Sequence, residues 1–531
     1  MCKASAESLR QKDGAVFFHA NAFRVNSSEL QFLCGFIFIS GGNMDKFLLN
    51  IVNTINTYLT DYILIVLLIG IGLFFTIRTR FVQVRYFGQG IKNIVGGFNL
   101  NGGKQRGGLS SFQSLATAIA AQVGTGNVVG ACGAILIGGP GAIFWMWIIA
   151  FLGMATIYAE ATLAQKTRVE HEDGSVSGGP VYYIRTAFKG KFGKFLAGFF
   201  AVAAILALGF MGAMVQSNSI ANTSSSAFGL SPWIIGLIIA TICAIVFIGG
   251  ANRVASVAEK IVPFMALLYI VGSLIIIAAR IRYVPEAFAM IFKYAFTPQA
   301  ITGGGIGAAI MIALSQGAKR GLFSNEAGMG STPHAHALAK VKDPHDQGVA
   351  AMMGVFIDTF IVLTMTALVV ISTLYAGDGV LGNLIGNPLI GTLDAEGNMI
   401  TLASLANAQG ITNANMAQMA FGCVFGETVG NIFVAICLLF FAFTTIIGWN
   451  LFGKLNMTYL FGKKSGIVYS IIAVIFVFLG SIASNGLVWA LTDLFNYLMV
   501  LPNALVLILL SGIVIGVVKN QKKKKDDNLE E

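Results

Sequence analysis

Apolar runs of membrane-crossing length, each bounded by polar or charged residues, recur along the chain at about 59–77, 110–137, 140–166, 192–217, 231–249, 253–280, 303–330, 347–374, 425–453, 466–483 and 487–517. Some 20 apolar residues in a helix match the hydrocarbon thickness of a bilayer, so this pattern predicts eleven transmembrane helices. The runs are continuous and do not alternate, which excludes a β-barrel as the reading. Segments 178–190 and 284–296 are amphipathic and too short to cross; they are expected along the membrane surface or capping a vestibule. Residues 1–43 are mixed in polarity, and their apolar run Phe32 to Ile39 is too short to span and lacks a small-residue cleavage site after it. Met44-Asp45-Lys46-Phe47 has the character of a natural start, and 1–43 is read as an upstream extension.

Two of the spans are interrupted. The first carries Val123-Gly124-Thr125-Gly126-Asn127 in its middle, and the second runs from Gly303-Gly304-Gly305 through Ser315-Gln316-Gly317 to Asn325-Glu326-Ala327-Gly328-Met329-Gly330. Backbone N–H and C=O groups freed inside hydrocarbon cost several kcal/mol each unless they are buried in protein or line a cavity, so an interrupted span usually surrounds something bound.

Composition agrees with a polytopic helical membrane protein: 56% hydrophobic residues, 11% charged, 63 glycines against 10 prolines, and a mean hydropathy of +0.77. Glycine at this level lets helix backbones approach closely. The net charge of +10 is concentrated in particular loops (78–109, 166–194, around Arg253, 331–346, 454–464) and in the tail Lys519, Lys522, Lys523, Lys524, Lys525. The intervening loops are poor in Lys and Arg, so the charge reads as topology and not as a nucleic-acid surface, and it predicts a cytoplasmic C-terminus. The six cysteines form no CxxC pair and are read as neither a disulfide framework nor a metal site.

With the first helix set aside, the second interrupted span begins five helices after the first. Five is odd, so the two halves cross in opposite directions. Glycine-broken segments at matching positions of inverted halves point to the midplane site of a secondary transporter. The domain reading follows: 44–109 for the added helix and its loop, 110–280 and 303–517 for the repeats, 281–302 for the connector and 518–531 for a charged tail.

The run Gly138-Gly139-Pro140-Gly141-Ala142-Ile143-Phe144-Trp145-Met146-Trp147, continuing to Gly153, resembles the signature of the alanine or glycine:cation symporters, the sodium:alanine symporter family. Val123 to Asn127, Gly153 to Glu160, and Phe323 to Ala337 resemble it too, and the likeness extends from about residue 59 to about 515. Ile157 departs from it, standing where relatives often carry lysine. The resemblance implies a leucine-transporter-type fold of two inverted five-helix repeats plus one N-terminal helix, within the amino acid–polyamine–cation superfamily. It also implies sodium-coupled, in some members proton-coupled, uptake of alanine or glycine across the plasma membrane, in bacteria the inner membrane. Sodium is then a co-substrate, with no cofactor.

By that likeness Thr125 and Gly126 would offer backbone to the substrate carboxylate at a half-helix N-terminus, with Asn127 turned towards substrate or ion; close glycine packing is the alternative reading. The carbonyls of Ala120 and Val123 would face Thr444 and Thr445 around sodium, which takes neutral hard oxygens well. Ser315 and Gln316 are the favoured side-chain contacts to substrate from the second broken span. Glu326, near Lys319 and Arg320, is either half of an ion pair at the cytoplasmic gate or a coupling residue. Asp358, set among apolar neighbours, is the other candidate carrier should the coupling ion be a proton. Phe144 to Trp147 reads as an interfacial aromatic anchor, and His334 and His336 form at most a weak metal pair.

No Walker loop is present, and all five histidines lie outside the spans, which leaves a membrane-embedded enzyme without a nucleophile–base pair. A proton-coupled carrier of another small neutral solute, or a channel or sensor on the same fold, are the remaining alternatives. The expected partners are a small neutral amino acid, sodium and lipid, with neither nucleic acid nor nucleotide.

Overall fold

The computed structural model describes residues 42–96, 109–172, 175–296, 306–385, 387, 390 and 400–530. The residues up to 41, Gly303 to Gly305, and Asp394 and Glu396 of the long loop lie outside the described set.

The chain is helical almost throughout, as it must be in a medium that offers backbone groups no water. The helices used here are α1 (Phe47–Arg78), α2 (Ser111–Gln122), α3 (Gly126–Gly138), α4 (Ala142–Thr167), α5 (Pro180–Ala187), α6 (Gly190–Phe228), α7 (Pro232–Ile248), α8 (Gly250–Ala279), α9 (Val284–Phe296), α10 (Ile306–Asn325), α11 (Pro333–Ala337), α12 (Pro344–Tyr375), α13 (Met416–Phe425), α14 (Glu427–Phe461), α15 (Ser465–Ile482), α16 (Gly486–Leu509) and α17 (Ser511–Glu530). Among the described residues eight of these are long and apolar enough to span, and α2 with α3 forms a ninth span, bent by 46° at its break. The protein is thus a multi-pass membrane protein.

Local chemistry fixes the ends that matter. Ser110 and Gln113 form a reciprocal capping box at the start of α2, with bonds of 3.0 and 3.2 Å. Gly139, at φ +72°, and Pro140 turn the chain from α3 into α4. Helix α4 is the scaffold: it packs on α1, α10 and α12, while α6 packs on α14, α15 and α16. The two breaks, after Gln122 and after Asn325, lie between these groups and are fully enclosed.

Several boundaries move. The polar stretch 218–228, expected as loop, continues helix α6 because its side chains find partners: Asn218 Nδ2 donates to the carbonyls of Gly480 at 3.0 Å and Ala483 at 2.9 Å. The last expected span, 487–517, ends at Leu509, and α17 continues into the charged tail. The second interruption falls at the far end of the stretch expected to hold it. Helix α10 runs unbroken through Ser315-Gln316-Gly317, and its glycines serve packing: a Cβ on Gly317 would come within 2.6 Å of Trp145 Cβ on α4.

The two short amphipathic segments are α5 and α9. Trp145 Nε1 donates to Ala295 O (3.3 Å), and Phe144 meets Phe292 and Phe296 edge-on, so the aromatic cluster fastens α9 onto α4. Trp147 Nε1 reaches Thr364 Oγ1 of α12 at 2.9 Å. Cys132, Cys243 and Cys437 are buried free thiols, whereas Cys423 is disulfide-bonded, which nothing in the cysteine spacing indicated.

Candidate transport site at the two helix breaks

At Val123 the backbone leaves helical geometry (φ −77°, ψ 92°), and the helix resumes at Gly126. The amides this frees are met by side chains. Gly124 N–H donates to Asn127 Oδ1 at 2.9 Å, and Thr125 N–H to Gln216 Oε1 of α6 at 3.0 Å. The Thr125 hydroxyl donates to the same Gln216 oxygen. A carboxamide oxygen therefore occupies the donor pair that would suit one oxygen of a carboxylate.

On the other face of the break, Thr445 Oγ1 lies 3.0 Å from Ala120 O, 3.1 Å from Phe441 O and 3.4 Å from Val123 O. A hydroxyl has one proton and cannot serve three acceptors at once. Four neutral oxygens from α2, its break and α14 converge, an arrangement whose lone pairs a small hard cation would satisfy. The space is tight, because a Cβ on Gly124 would collide with Thr445 Oγ1 and approach Gln216 Oε1 to 3.1 Å. Glycine is required here for close approach.

Asn127 links this break to a buried carboxylate. Its Nδ2 donates to Asp358 Oδ1 at 2.6 Å and to Asp358 O at 3.0 Å. Ser324 Oγ, from the end of α10, lies 2.8 and 3.1 Å from the two Asp358 oxygens, and Thr359 Oγ1 adds a bond of 2.8 Å. Asp358 sits in a π-helical stretch of α12, Phe356–Leu363, which aims it at the point where the broken spans touch. That touch is direct: a Cβ on Gly126 would sit 3.0 Å from Phe323 and 3.1 Å from Ser324 Cα.

The second break is the turn 326–332, where Glu326, Gly328 and Gly330 take φ of +59°, +91° and +81°. Glu160 of α4 fills it. One carboxylate oxygen accepts from Gly328 N–H at 3.1 Å and the other from Asn503 Nδ2 at 2.6 Å. Asn503 also donates to Gly328 O at 2.8 Å and accepts from the Tyr183 hydroxyl. Glu326 accepts from Trp449 Nε1 at 2.5 Å and from the Ser331 hydroxyl.

The expected ion pair of Glu326 with Lys319 or Arg320 does not form. Glu326 lies just past the end of α10, and its φ of +59° turns its carboxylate to Trp449 and Ser331, away from Lys319 and Arg320 on the helix. Arg320 pairs instead with Asp493 of α16 at 3.2 Å and stacks on Trp489, its guanidinium 4.5 Å from the ring centre. Phe323 meets Trp489 and Trp449, at centroid distances of 4.8 and 5.7 Å, between that pair and the first break.

Of the residues expected from sequence, Ala120, Val123, Thr125, Gly126, Asn127, Thr445 and Asp358 are brought together. Thr444 points away, to Phe441 O at 2.9 Å and Met265 Sδ at 3.4 Å. Ser315 bonds Asp61 of α1 at 2.5 Å, and Gln316 lies opposite Gly138. The eight helical steps from Gln316 to Ser324 are about 12 Å, so neither reaches the break. His334 and His336 are buried and separately engaged, His334 with Ser331 O and Asn456, His336 with Gln347. Burial pushes both imidazoles down to about 4. Gln216 and Asn503 were missed; Gln216 opens the polar run Gln216-Ser217-Asn218-Ser219 inside an apolar span, a signal that was available.

Residues 45–531 match the sodium:alanine symporter family. The chain belongs to that family. Among its relatives, the sodium/alanine symporter AgcS of Methanococcus maripaludis is 38% identical over 484 residues, covering 90% of this chain and 98% of AgcS. A putative sodium/proton-dependent alanine carrier, YrbD, of Bacillus subtilis is 38% identical, covering 90% and 93%. A probable sodium/glutamine symporter, GlnT, of the same organism is 36% identical, covering 91% and 92%. The solved structure of MhsT with L-phenylalanine aligns with a TM-score of 0.51 at 14% identity, over 77% of this chain and 89% of that one. That likeness gives the fold, of leucine-transporter type. This symporter-family member is therefore a transporter of the amino-acid:cation class and not an enzyme.

Proposed function

We propose that this family member couples inward sodium flow to uptake of alanine or glycine across the plasma membrane by alternating access. The observation that carries the reading is the first break, where a two-donor cradle for a carboxylate and a cluster of four neutral oxygens share one unwound turn. The substrate carboxylate would displace Gln216 from Thr125, and sodium would sit among Ala120 O, Val123 O, Phe441 O and Thr445 Oγ1. The narrow space about Gly124 and Gly126 favours a small side chain. In this reading there are eleven crossings, with inverted repeats at 110–280 and 303–517 and the C-terminus in the cytoplasm.

A proton-coupled reading has one specific support. Asp358 is fully buried and, among the described residues, bonds only neutral partners. A carboxylate so placed calls for a proton or a cation. It would hold either a coupling proton or a second ion beside Asn127 and Ser324.

Uptake of labelled alanine and glycine into proteoliposomes, driven by a sodium gradient alone or a proton gradient alone, separates the readings. Accumulation with sodium alone is expected. Accumulation with protons alone transfers the role to Asp358, and accumulation with neither overturns the symport.

A further inference from the structure

Helix α1 precedes the two proposed repeats, and between its ends it carries a single charged residue, Asp61, in the π-helical stretch Leu59–Leu64. A π-helical turn re-aims the side chains it holds, and a carboxylate inside an apolar span is costly unless a partner meets it. Among the described residues Asp61 bonds only a neutral group, the Ser315 hydroxyl of α10, at 2.5 Å.

Lys319 stands one turn further along the same face of α10, since positions four apart share a face. It is faced by Asp493 and Asp61, and it makes neither hydrogen bond nor ion pair with a described residue. Asp493 is engaged by Arg320 at 3.2 and 3.3 Å. Tyr497, buried one turn along α16 from Asp493, faces Asp493, Arg320 and Asp61 together, which sets the two carboxylates in one locality. Asn56 Nδ2 of α1 donates to Ala490 O of α16 at 2.7 Å and fastens the two helices there.

Two cations on adjacent positions of α10 thus meet one carboxylate from each flanking helix. With Arg320 on Asp493, Asp61 is the acid left for Lys319, whose flexible four-carbon stem lets its ammonium reach across. Arg320 and Asp493 border a cavity of about 320 Å³. Asn407 and Asn413 of the loop poor in Lys and Arg line it too, so it opens on the side that loop charge assigns to the outside, and water entering there can take up the charges of the pair as it parts. We propose that Asp61 is a positioning residue of this outer gate: it is the standing counter-charge of Lys319 and anchors α10 to α1 while Arg320 and Asp493 separate, so that opening strands no cation. The cargo used to test this rests on the proposed function, whereas the charge balance does not.

Sodium-driven alanine uptake into proteoliposomes, with folding followed by size exclusion, is the test. Asp61→Asn is expected to lower the maximal rate about tenfold and leave the KM for alanine within about twofold, because opening is impaired and the seat is not. Removing the cation as well, in Asp61→Asn/Lys319→Gln, should bring the rate back to within about threefold of the wild type. Asp61→Glu should keep the rate, and Ser315→Ala, which deletes the hydrogen bond alone, should change it by less than about twofold. A full rate in Asp61→Asn, a double variant no faster than the single one, or an equal loss in Ser315→Ala overturns the role of Asp61 and leaves the symport standing. Should Asp61→Asn not fold, a double variant that folds and transports upholds the pairing, and one that does not overturns it. No alanine or glycine uptake by the wild type overturns the proposed function, and the gate role with it.

Discussion

The two helix breaks face the same physical problem and meet it with different chemistry. At the first, freed amides are capped by neutral amides, Gln216 on Thr125 and Asn127 on Gly124. At the second, a carboxylate built into the scaffold, Glu160, takes the Gly328 amide and is itself held by Asn503. Hydrogen bonds to an ionised group are roughly twice as strong as those between neutral ones, so the neutral Gln216 cap would yield to an incoming carboxylate, whereas the second cap is cross-braced by Asn503, which bonds both Glu160 and Gly328 O. On the proposed function, a break that exchanges ligands and a break that serves as a latched bend are thus distinguished by how their caps are braced. The family's interrupted spans need not both be ligand sites.

The sharpest way to break the comparison is to give the first break the second one's cap. Gln216→Glu keeps the shape and puts a resident anion on Thr125, and sodium-driven alanine uptake should fall at least a hundredfold, about 2.7 kcal/mol, with size-exclusion behaviour unchanged. Normal uptake in that variant would remove Thr125 as the carboxylate seat. Asn127→Ala deletes the bonds to both Gly124 and Asp358, and uptake at limiting alanine should drop about thirtyfold, in line with the loss of three buried hydrogen bonds at somewhat under ~1 kcal/mol each. Glu160→Gln, the converse exchange, should lower unfolding stability by about 1–2 kcal/mol in a denaturant series while the KM for alanine stays within twofold. A large KM change there would make the second break a ligand site after all. The smallest effect separates neighbours on α14: Thr445→Ala should raise the half-saturating sodium concentration about tenfold, and Thr444→Ala by less than twofold. Equal effects of the two would move the cation away from Ala120 and Val123.

The sequence made the class and the first break legible because both depend on composition and local backbone chemistry. A run of small residues in hydrocarbon has few structural solutions, and Gly124-Thr125-Gly126-Asn127 sits where the helix comes apart. The second break was placed less well. Ser315-Gln316-Gly317 has the look of an interruption, but glycine inside a membrane helix also serves close packing, and Gly317 is used against Trp145. The interruption follows Asn325, where Glu160, 168 positions from the Gly328 amide it accepts, supplies what the turn lacks. Partners that distant leave no mark on local pattern. The same limit hid Asn503, and it left Thr444 and Thr445 undistinguished, because which of two adjacent hydroxyls faces α2 is decided by the roll of α14.

The carboxamide of Gln216 also bears on the idle half of the working cycle. A carrier that has discharged its cargo must reset with its binding groups vacant, and bare amides dragged through a dry interior would slow that reset. Because a resident side chain steps into the vacancy, the unloaded molecule travels with its polar groups already quenched. With the carboxylate seated at Thr125 as proposed, the same tenant would be evicted by each new passenger, so a modest grip on cargo and a quick turnaround would come from a single residue.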